Sequence, residues 1–364
     1  MTQNDPELSS KHQALIALME LHQVDAILLE TQPSIAWYLS GARVHVSLAA
    51  PPVVRVLVHR GGTEVATPLA EADRLQAEEL PAAPGLGLHP LDWFADPGQV
   101  GTWFPDAAGW LIASEQQLEA PLRALRQILS VTEIARYRQL CRDAAELMTD
   151  TLSGATAQLT ELELAARLAA GAVRLGAEPT VVLVAGAGRY AYRHPLPTGA
   201  VLGRRAMAVL CLRRHGLIAN ITRWVHFGPR TAAEAGHDRA ILEVEAEIFA
   251  ALQPGRGLGE LLPVIQQSYP RHGFDAREWS RHHQGGIAGY NGRDPRLAPG
   301  AQDPIRARQA FAWNPSAAAA PGQTVKVEDT VLLTEEGRIE VLTNDPRWPS
   351  VAVGTLQRPV PLEL

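Results

Sequence analysis

The sequence predicts an α/β domain followed by an α+β domain. The chain has 364 residues, which is enough for two hydrophobic cores. Strand and helix patterns alternate up to about residue 128, as is typical of an α/β domain. Beyond that point two strand-rich sections with many turns flank a helix, which favours antiparallel pairing. We therefore predict domains over residues 1–128 and 129–364.

The N-terminal elements follow from apolar spacing and glycine stops. Residues 12–23 carry apolar side chains at helical spacing, and residues 24–30 form a short buried-strand pattern. Residues 34–41 and 52–62 are interpreted as further strands that end at glycines. The Pro- and Gly-rich stretch 80–90 is predicted to be a loop.

Two helices are predicted to open the second domain. Residues 130–152 give a long amphipathic helix, for which we take Thr132 as the N-cap. Another helix covers 159–173, and its Thr160 and Glu163 have the spacing of a capping box.

The rest of the second domain is predicted to consist mainly of strands. Residues 205–212 and 217–228 form a predicted antiparallel hairpin broken at "RRHG". A helix is expected at 238–252, and strands dominate 324–343. The small-residue stretch 315–322 is predicted to be a loop.

Composition excludes several classes of function. The net charge of −6 gives no reason to expect a nucleic-acid partner. The two cysteines, Cys141 and Cys211, lie in apolar segments, which excludes a Cys-rich zinc module and suits a reducing compartment. We see no secretory signal and no apolar stretch of the roughly 20 residues that a membrane span needs. A cytoplasmic protein without a membrane partner is therefore expected.

The stretch "RHHQGGIAGYNGRD" (281–294) is the first candidate for a functional site. His282 and His283 precede a glycine-rich loop, as at the edge of a metal site or an acid/base centre. We expect these histidines to be buried or to line a pocket, with hydrogen-bond partners, rather than to bind metal.

Several segments, taken in order, resemble the pita-bread superfamily. "SIAWYLSG" resembles its N-terminal strand signature, and "TEIARYRQLCRDAAELM" the helix that enters its catalytic domain. "TELELAARL", "ITRWVHFG" and "VKVEDTVLLTEEG" resemble landmarks of that domain. The resemblance covers nearly the whole chain and implies an α/β N-terminal domain plus an α+β pita-bread domain. The superfamily contains Xaa-Pro dipeptidases, aminopeptidase P, methionine aminopeptidase and the metal-independent creatinases.

The resemblance also implies where metal ligands should stand. The superfamily's peptidases hold two metal ions with two aspartates, a histidine and two glutamates. The corresponding positions here are Val209, Asn220, Gly286, Asn314 and Glu328, so that only the last is a carboxylate. Two divalent ions need anionic oxygen ligands, and no Asp or Glu occurs between Arg204 and Pro229 that a shift in register could supply. We therefore predict a degenerate dimetal site and no cofactor.

Some chemistry could remain without metal. The resemblance implies that His194 is a pocket histidine, which with Glu328 could perform acid/base hydrolysis. A second glutamate used by creatinases corresponds to Thr222 and is lost. "GYNGRDP" is closer to creatinase, and Arg293 would bind a substrate carboxylate beside Tyr290. Alternatively, His194 is structural and Arg293 is a surface residue that pairs with Asp294.

Three hypotheses for function follow. The first is a metal-independent hydrolase of a C–N bond in a small carboxylate-bearing substrate, with His194 and Glu328 catalytic and Tyr290, His282, His283 and Arg293 binding substrate. The second is a catalytically silent homologue that binds a small molecule, a dipeptide or a partner in the old cleft. The third is a genuine Xaa-Pro dipeptidase, against which the lost ligands argue. The resemblance also implies a homodimer.

Overall fold

The computed structural model describes residues 6–81, 83–320 and 323–364. The chain divides into two compact units, which we describe separately. The first contains residues up to Arg126 together with His215–Leu217, and the second contains Gln127–Arg214 and Ile218–Leu364.

The first unit is an α/β domain built on one mixed five-stranded sheet. In space the strands follow the order β4-β3-β2-β1-β5. β1 pairs antiparallel with β2 and parallel with β5, while β3 pairs antiparallel with β2 and parallel with β4. Its strands are β1 (Ala26–Leu29), β2 (Arg55–His59), β3 (Gly62–Pro68), β4 (Leu86–Leu91) and β5 (Ile112–Ser114). Its helices are α1 (Pro6–His22), α2 (Gln32–Tyr38), α3 (Leu69–Arg74), α4 (Val100–Trp103) and α5 (Glu119–Arg126).

Two predictions for this unit are wrong. The segment 34–41, predicted to be a strand, belongs largely to α2, because the Thr31 side chain caps the helix by accepting a hydrogen bond from Ser34 N and a proline stands in its first turn. A short apolar run does not distinguish a buried helix from a strand. The predicted loop at 80–90 contains β4, which the parallel partner β3 holds in the sheet despite its proline and glycines.

The second unit has the α+β pita-bread architecture. Its helices are α6 (Val131–Ser153), α7 (Glu161–Arg174), α8 (Ala232–Ala251), α9 (Leu262–Arg271) and α10 (Glu278–Arg281). Its strands are β6 (Glu178–Ala185), β7 (Arg205–Arg214), β8 (Leu217–His226), β9 (Gly285–Ala288), β10 (Gln309–Trp313), β11 (Ser316–Ala320), β12 (Gln323–Lys326), β13 (Asp329–Leu333), β14 (Ile339–Val341), β15 (Ser350–Val353), β16 (Leu356–Pro359) and β17 (Leu362–Glu363).

Two four-stranded sheets organise this unit, with the orders β17-β8-β7-β6 and β14-β13-β10-β9. An isolated bridge between Thr222 in β8 and Glu328 joins them, and Thr222 N donates to Glu328 O over 3.0 Å. The core packs α8 and α9 against the second sheet and the β11–β12 hairpin, with Trp313, Phe311 and Tyr269 among its largest buried side chains. The bridge brings the hairpin β7–β8 next to the segment that carries Glu328.

Helix α6 begins two residues earlier than its predicted N-cap implies. The cap is Ser130 and not Thr132, because Ser130 and Glu133 form a capping box in which each side chain accepts from the other's backbone N–H. The box predicted for Thr160 and Glu163 is present at the start of α7.

The hairpin and the small-residue stretch also differ from expectation. Strand β7 runs through Arg214, so that the break is only His215-Gly216, and both residues have positive φ as a tight two-residue turn requires. The stretch 315–322, predicted to be a loop, contains β11, which pairs with β12. Its last two residues lie outside the described ones.

No helix within the described residues is both long and apolar enough to cross a membrane.

Candidate functional site

A cavity of about 840 Å³ in the second unit contains most of the residues to which the resemblance assigns chemistry. Its walls come from β6, the hairpin β7–β8, the loop after β9 and the residues on either side of β11 and β12. The lining residues are Thr180, Val181, Leu183, His194, Val209, Cys211, Ile218, Asn220, His283, Asn291, Gly292, Arg293, Arg296, Asn314, Lys326 and Glu328. We refer to this cavity as the central pocket.

The carboxylate of Glu328 is fully engaged by its neighbours. Its Oε1 accepts from an Arg293 guanidinium nitrogen at 2.9 Å, and its Oε2 accepts from the Thr222 hydroxyl at 2.7 Å. The ammonium of Lys326 lies 3.2 Å from the same Oε2. Burial alone would raise the pKa of Glu328, but the charges of Lys326 and Arg293 and the Thr222 hydrogen bond lower it far below its usual range. The carboxylate is therefore ionised and neutralised by two side chains of its own chain.

Lys326 is a site residue that we did not predict from the sequence. Its side chain is 3% exposed and its ammonium lies beside the only carboxylate in the pocket lining. Side chains two residues apart on an extended strand point to the same face, so the spacing of Lys326 and Glu328 was a usable signal.

The hairpin positions hold no anionic ligand. Val209 is buried and apolar. The Asn220 side-chain oxygen accepts from Cys211 Sγ at 3.3 Å, and its amide nitrogen donates to Ile218 O at 3.1 Å. Burial raises the pKa of Cys211 to about 12, so its thiol remains protonated and can donate. This face of the pocket is neutral.

Backbone fills the space next to Gly286. A Cβ atom on this residue would lie 2.2 Å from Pro295 O and 3.0 Å from Arg296 Cα. Gly286 also has a φ of +155° and forms a β-bridge with Arg296. Glycine is therefore required here, and the position has no room for a histidine.

Asn314 is buried at 2% exposure and only partly hydrogen bonded. Its side-chain nitrogen lies 3.5 Å from His282 Nε2. Its side-chain oxygen is buried and has no hydrogen-bond partner among the described residues. A buried amide oxygen without a partner is costly, so this atom is poised to accept from a bound group.

Three histidines converge at the wall of the pocket. His282 Nε2 lies 3.1 Å from His194 Nε2, and His282 Nδ1 lies 3.0 Å from Ser316 Oγ. His194 and His283 line the pocket, whereas His282 is buried behind them. Burial, followed by the charge of Lys326, lowers the pKa of His282 to about 2. Burial is also the main cause that lowers the pKa of His283 to about 4 and the pKa of His194. All three imidazoles are therefore neutral near pH 7.

The predicted pair of His194 and Glu328 shares the pocket, but no hydrogen bond joins the two side chains in the part of the chain that the structure describes. His194 contacts His282 instead. Arg293 is 6% exposed and pairs with Glu328, so the alternative interpretation of a surface arginine paired with Asp294 is wrong. The attraction of the ionised Glu328 holds the Arg293 side chain inside the pocket and away from the surface.

Tyr290 is not among the residues that line the pocket. Its hydroxyl donates to Glu133 Oε1 at 2.6 Å, and Glu133 belongs to the capping box of α6. Arg223 of the hairpin donates to Asp329 Oδ1 at 2.8 Å and to Thr343 O at 2.7 Å. Both side chains hold elements together.

Arg296 is a second site residue that we did not predict. It is exposed, lines the pocket and has no ion-pair or hydrogen-bond partner for its guanidinium among residues 6–81, 83–320 and 323–364. Arg293, three residues earlier in the same loop, is already paired with Glu328. The sequence gives no sign of which of these two arginines is free, because Glu328 is far away along the chain.

Comparison with known proteins places the fold. The chain is similar to the prolidase from Pyrococcus horikoshii OT3, with 20% identity over 93% of this chain and 99% of that one and a TM-score of 0.74. A Xaa-Pro dipeptidase from Bacillus anthracis is 19% identical over 98% and 100% of the chains, with a TM-score of 0.73. The N-terminal domain of the FACT complex subunit SPT16 from Cicer arietinum is 10% identical over 93% and 96%, with a TM-score of 0.69. At these identities the likeness is one of fold.

No curated protein sequence matches the chain significantly. The model of metallopeptidase family M24, however, matches residues 135–335, which is more than half of the chain and includes Glu328 and the three histidines. The chain belongs to metallopeptidase family M24.

Proposed function

We propose that the chain is a member of its family that binds a small carboxylate-bearing ligand in the central pocket and does not use a dinuclear metal centre. The residues present do not match the dimetal centre that the family implies. Its five positions offer one carboxylate, two neutral amides and no side-chain donor from Val209 or Gly286. That donor set does not fit two divalent cations.

The charge that metal ions would supply comes instead from the protein. Lys326 and Arg293 lie on the two oxygens of Glu328 and hold its negative charge. A divalent ion could bind Glu328 only by displacing these two buried cations or against their electrostatic repulsion. Glu328 therefore acts as a structural counter-ion to Lys326 and Arg293, and not as a metal ligand or a proton carrier.

The observation that carries the proposal is that the guanidinium of Arg296 has no partner among the residues that the structure describes. The pocket lining contains three cationic side chains, Lys326, Arg293 and Arg296, against one carboxylate, Glu328, and its histidines are neutral. Arg296 is thus free to bind a carboxylate through two parallel hydrogen bonds. An anionic ligand is favoured over a cationic one.

The remaining walls fit the rest of such a ligand. Val181, Leu183, Val209 and Ile218 give one side of the pocket an apolar surface. The unpartnered oxygen of Asn314 can accept a hydrogen bond from an amide or amine. A small molecule or dipeptide with a carboxylate, an N–H group and an apolar side chain matches these features.

The test is calorimetric titration of the full chain, in EDTA, with Xaa-Pro dipeptides, N-acetylated amino acids and small dicarboxylates. We expect binding of at least one class, weakened at least tenfold by Arg296→Gln. Arg338→Gln, which removes an exposed arginine elsewhere in the second unit, is the matched control and should bind normally. If no carboxylate compound binds, or if Arg296→Gln binds as well as the unchanged protein, the proposal fails.

Metal-independent hydrolysis is the second candidate, favoured by His194. This side chain lines the pocket and its lowered pKa leaves a neutral imidazole that can accept a proton. Glu328 could not assist, since its pKa is held far below neutrality. Chelator-resistant turnover of a bound compound that His194→Gln abolishes, without loss of binding, would establish this activity; unchanged compound after prolonged incubation would exclude it for that compound.

A further inference from the structure

The three histidines of the pocket wall form a cluster that neither the family's metal positions nor the carboxylate pocket explains. We propose that His194, His282 and His283 together bind a single divalent transition-metal ion, best matched by zinc, at a position separate from the family's dimetal site. The protein ligands of this site would all be nitrogen atoms, whereas four of the five family positions call for carboxylate oxygens.

The distances fit one ion. Each histidine offers a ring nitrogen, and these three atoms lie within 4.8 Å of one another. The pair His194 Nε2 and His282 Nε2 is already 3.1 Å apart. Two nitrogens at Zn–N distances of about 2.0–2.1 Å in a tetrahedral site are roughly 3.3 Å apart. Small side-chain movements would therefore bring all three nitrogens to bonding distance.

The surroundings of His282 fix its ring in a ligand orientation. Its Nδ1 meets Ser316 Oγ at 3.0 Å, which leaves Nε2 facing the cluster. Tyr269 donates to Gln284, and Gln284 donates to His282 O at 2.8 Å, so the backbone is held too. A hydrogen bond to the second ring nitrogen is the usual means of orienting a metal-bound histidine.

Two buried polar atoms at the cluster lack a hydrogen-bond partner among the described residues. They are His283 Nδ1 and Asn314 Oδ1. The Asn314 amide lies within 3.5 Å of His282 Nε2. Such atoms usually have a water, ion or ligand as partner.

The charges around the cluster bear on how tightly it would hold an ion. The nearby cations Lys326, Arg293 and Arg296 oppose a divalent ion, and we expect micromolar rather than nanomolar affinity. Three protein ligands leave a fourth position for water or a ligand group, as in catalytic zinc sites.

The experiment titrates EDTA-treated, desalted full chain with ZnCl₂ by calorimetry, and with CoCl₂ by visible absorption. We expect one equivalent of zinc and the intense absorption of low-symmetry, tetrahedral cobalt. His194→Ala and His283→Gln should each weaken binding at least tenfold. His194→Cys, which keeps a zinc ligand, should bind within about tenfold of the unchanged protein. His22→Ala removes an exposed histidine elsewhere and should have no effect.

Any of three results would overturn the proposal. The first is zinc binding that His194→Ala and His283→Gln leave unchanged, and the second is no zinc binding by the folded protein. The third is an anomalous scattering peak beside Glu328 in zinc-soaked crystals rather than between the three rings. Carboxylate binding is measured in EDTA, so its failure and the failure of the metal site are distinguishable.

Discussion

Lys326 and Glu328 show at the scale of single residues how side chains of the same chain neutralise a buried carboxylate. In a peptidase of this fold two cations from solution would bind a group of carboxylates. Here one carboxylate remains, and two buried side-chain cations and a hydroxyl surround it. Removing one partner of a buried ion pair leaves a charge that is neither solvated nor paired, at a cost of about 3–5 kcal/mol.

A double-mutant cycle measures how strongly Lys326 and Glu328 stabilise each other. We expect Lys326→Met to lower the free energy of unfolding by about 3 kcal/mol, because Glu328 then keeps Arg293 as its only cation. The pair Lys326→Met/Glu328→Gln should cost less than the sum of the two single changes by at least about 1 kcal/mol. Urea denaturation checks this. Additive costs would show that the two side chains are not coupled.

Gly286 gives a second test at this scale, since backbone occupies the space for its side chain. We expect Gly286→Ala to lower the free energy of unfolding by at least about 2 kcal/mol, because a Cβ would overlap Pro295 O and the φ is unfavourable for alanine. The control is Gly236→Ala in α8, where a Cβ meets nothing within 4 Å and helix propensity predicts a gain of up to about 1 kcal/mol. Equal melting temperatures for both variants would contradict this account.

The proposal that the metal ligands are lost rests on residue types alone, because valine, glycine and asparagine cannot supply carboxylate oxygens. Residue types did not predict which charged side chains would meet. Arg293 and Glu328 are 35 positions apart, and His194 and His282 are 88 apart. Such contacts depend on how distant segments pair in the fold, as the bridge between Thr222 and Glu328 illustrates.

At the scale of elements, the N-terminus of helix α8 is fixed by a capping box and by an ion pair to a neighbouring segment. Thr231 and Glu234 form a capping box, and Glu234 also pairs with Arg204, which precedes β7. The Arg204 guanidinium is the main cause that holds the pKa of Glu234 well below its usual range. The box at the start of α7 follows the same rule, but the hydrogen bonds that its Glu163 side chain makes within the described part of the chain are all to Thr160.

Because the folded pKa of Glu234 is lower than the unfolded one, its contribution is present above the unfolded value near 4.3 and is lost as the pH falls. We expect Glu234→Gln to lower the free energy of unfolding at pH 7 by about 1–2 kcal/mol. The difference from the unchanged protein should shrink progressively below about pH 4.5. Glu163→Gln should have a smaller effect. Urea denaturation from pH 7 to pH 3 measures both, and a pH-independent difference would be inconsistent with this linkage.

Elements were predictable where one local rule dominated. The capping box of Thr160 and Glu163 follows from spacing alone, and it is present. Segment 34–41 was not predictable, since its apolar run fits a strand or a buried helix and the Thr31 cap decided between them. Strand β11 was missed because four consecutive alanines carry little strand signal, and its partner β12 supplies the pairing.

The whole molecule has the fold of metallopeptidase family M24. The order of landmarks along the chain was enough to predict both the family and its two-unit architecture, and the structure and the family match confirm the fold. The fold does not determine the function, because solved structures of this fold include both prolidases and the N-terminal domain of a FACT complex subunit. What the site binds depends on the few side chains that converge in it.

The central claim is that internal cations have replaced the dinuclear metal centre, and hydrolysis of Xaa-Pro dipeptides with and without Mn²⁺ tests it most directly. The full chain is first stripped of metal, then incubated with each dipeptide in EDTA or in excess Mn²⁺, and released amino acids are quantified. We predict no Mn²⁺-dependent hydrolysis above the rate without protein, because Glu328 is held by Lys326 and Arg293 and the other positions offer no anionic ligand. Mn²⁺-dependent turnover that requires two ions per chain would contradict the account.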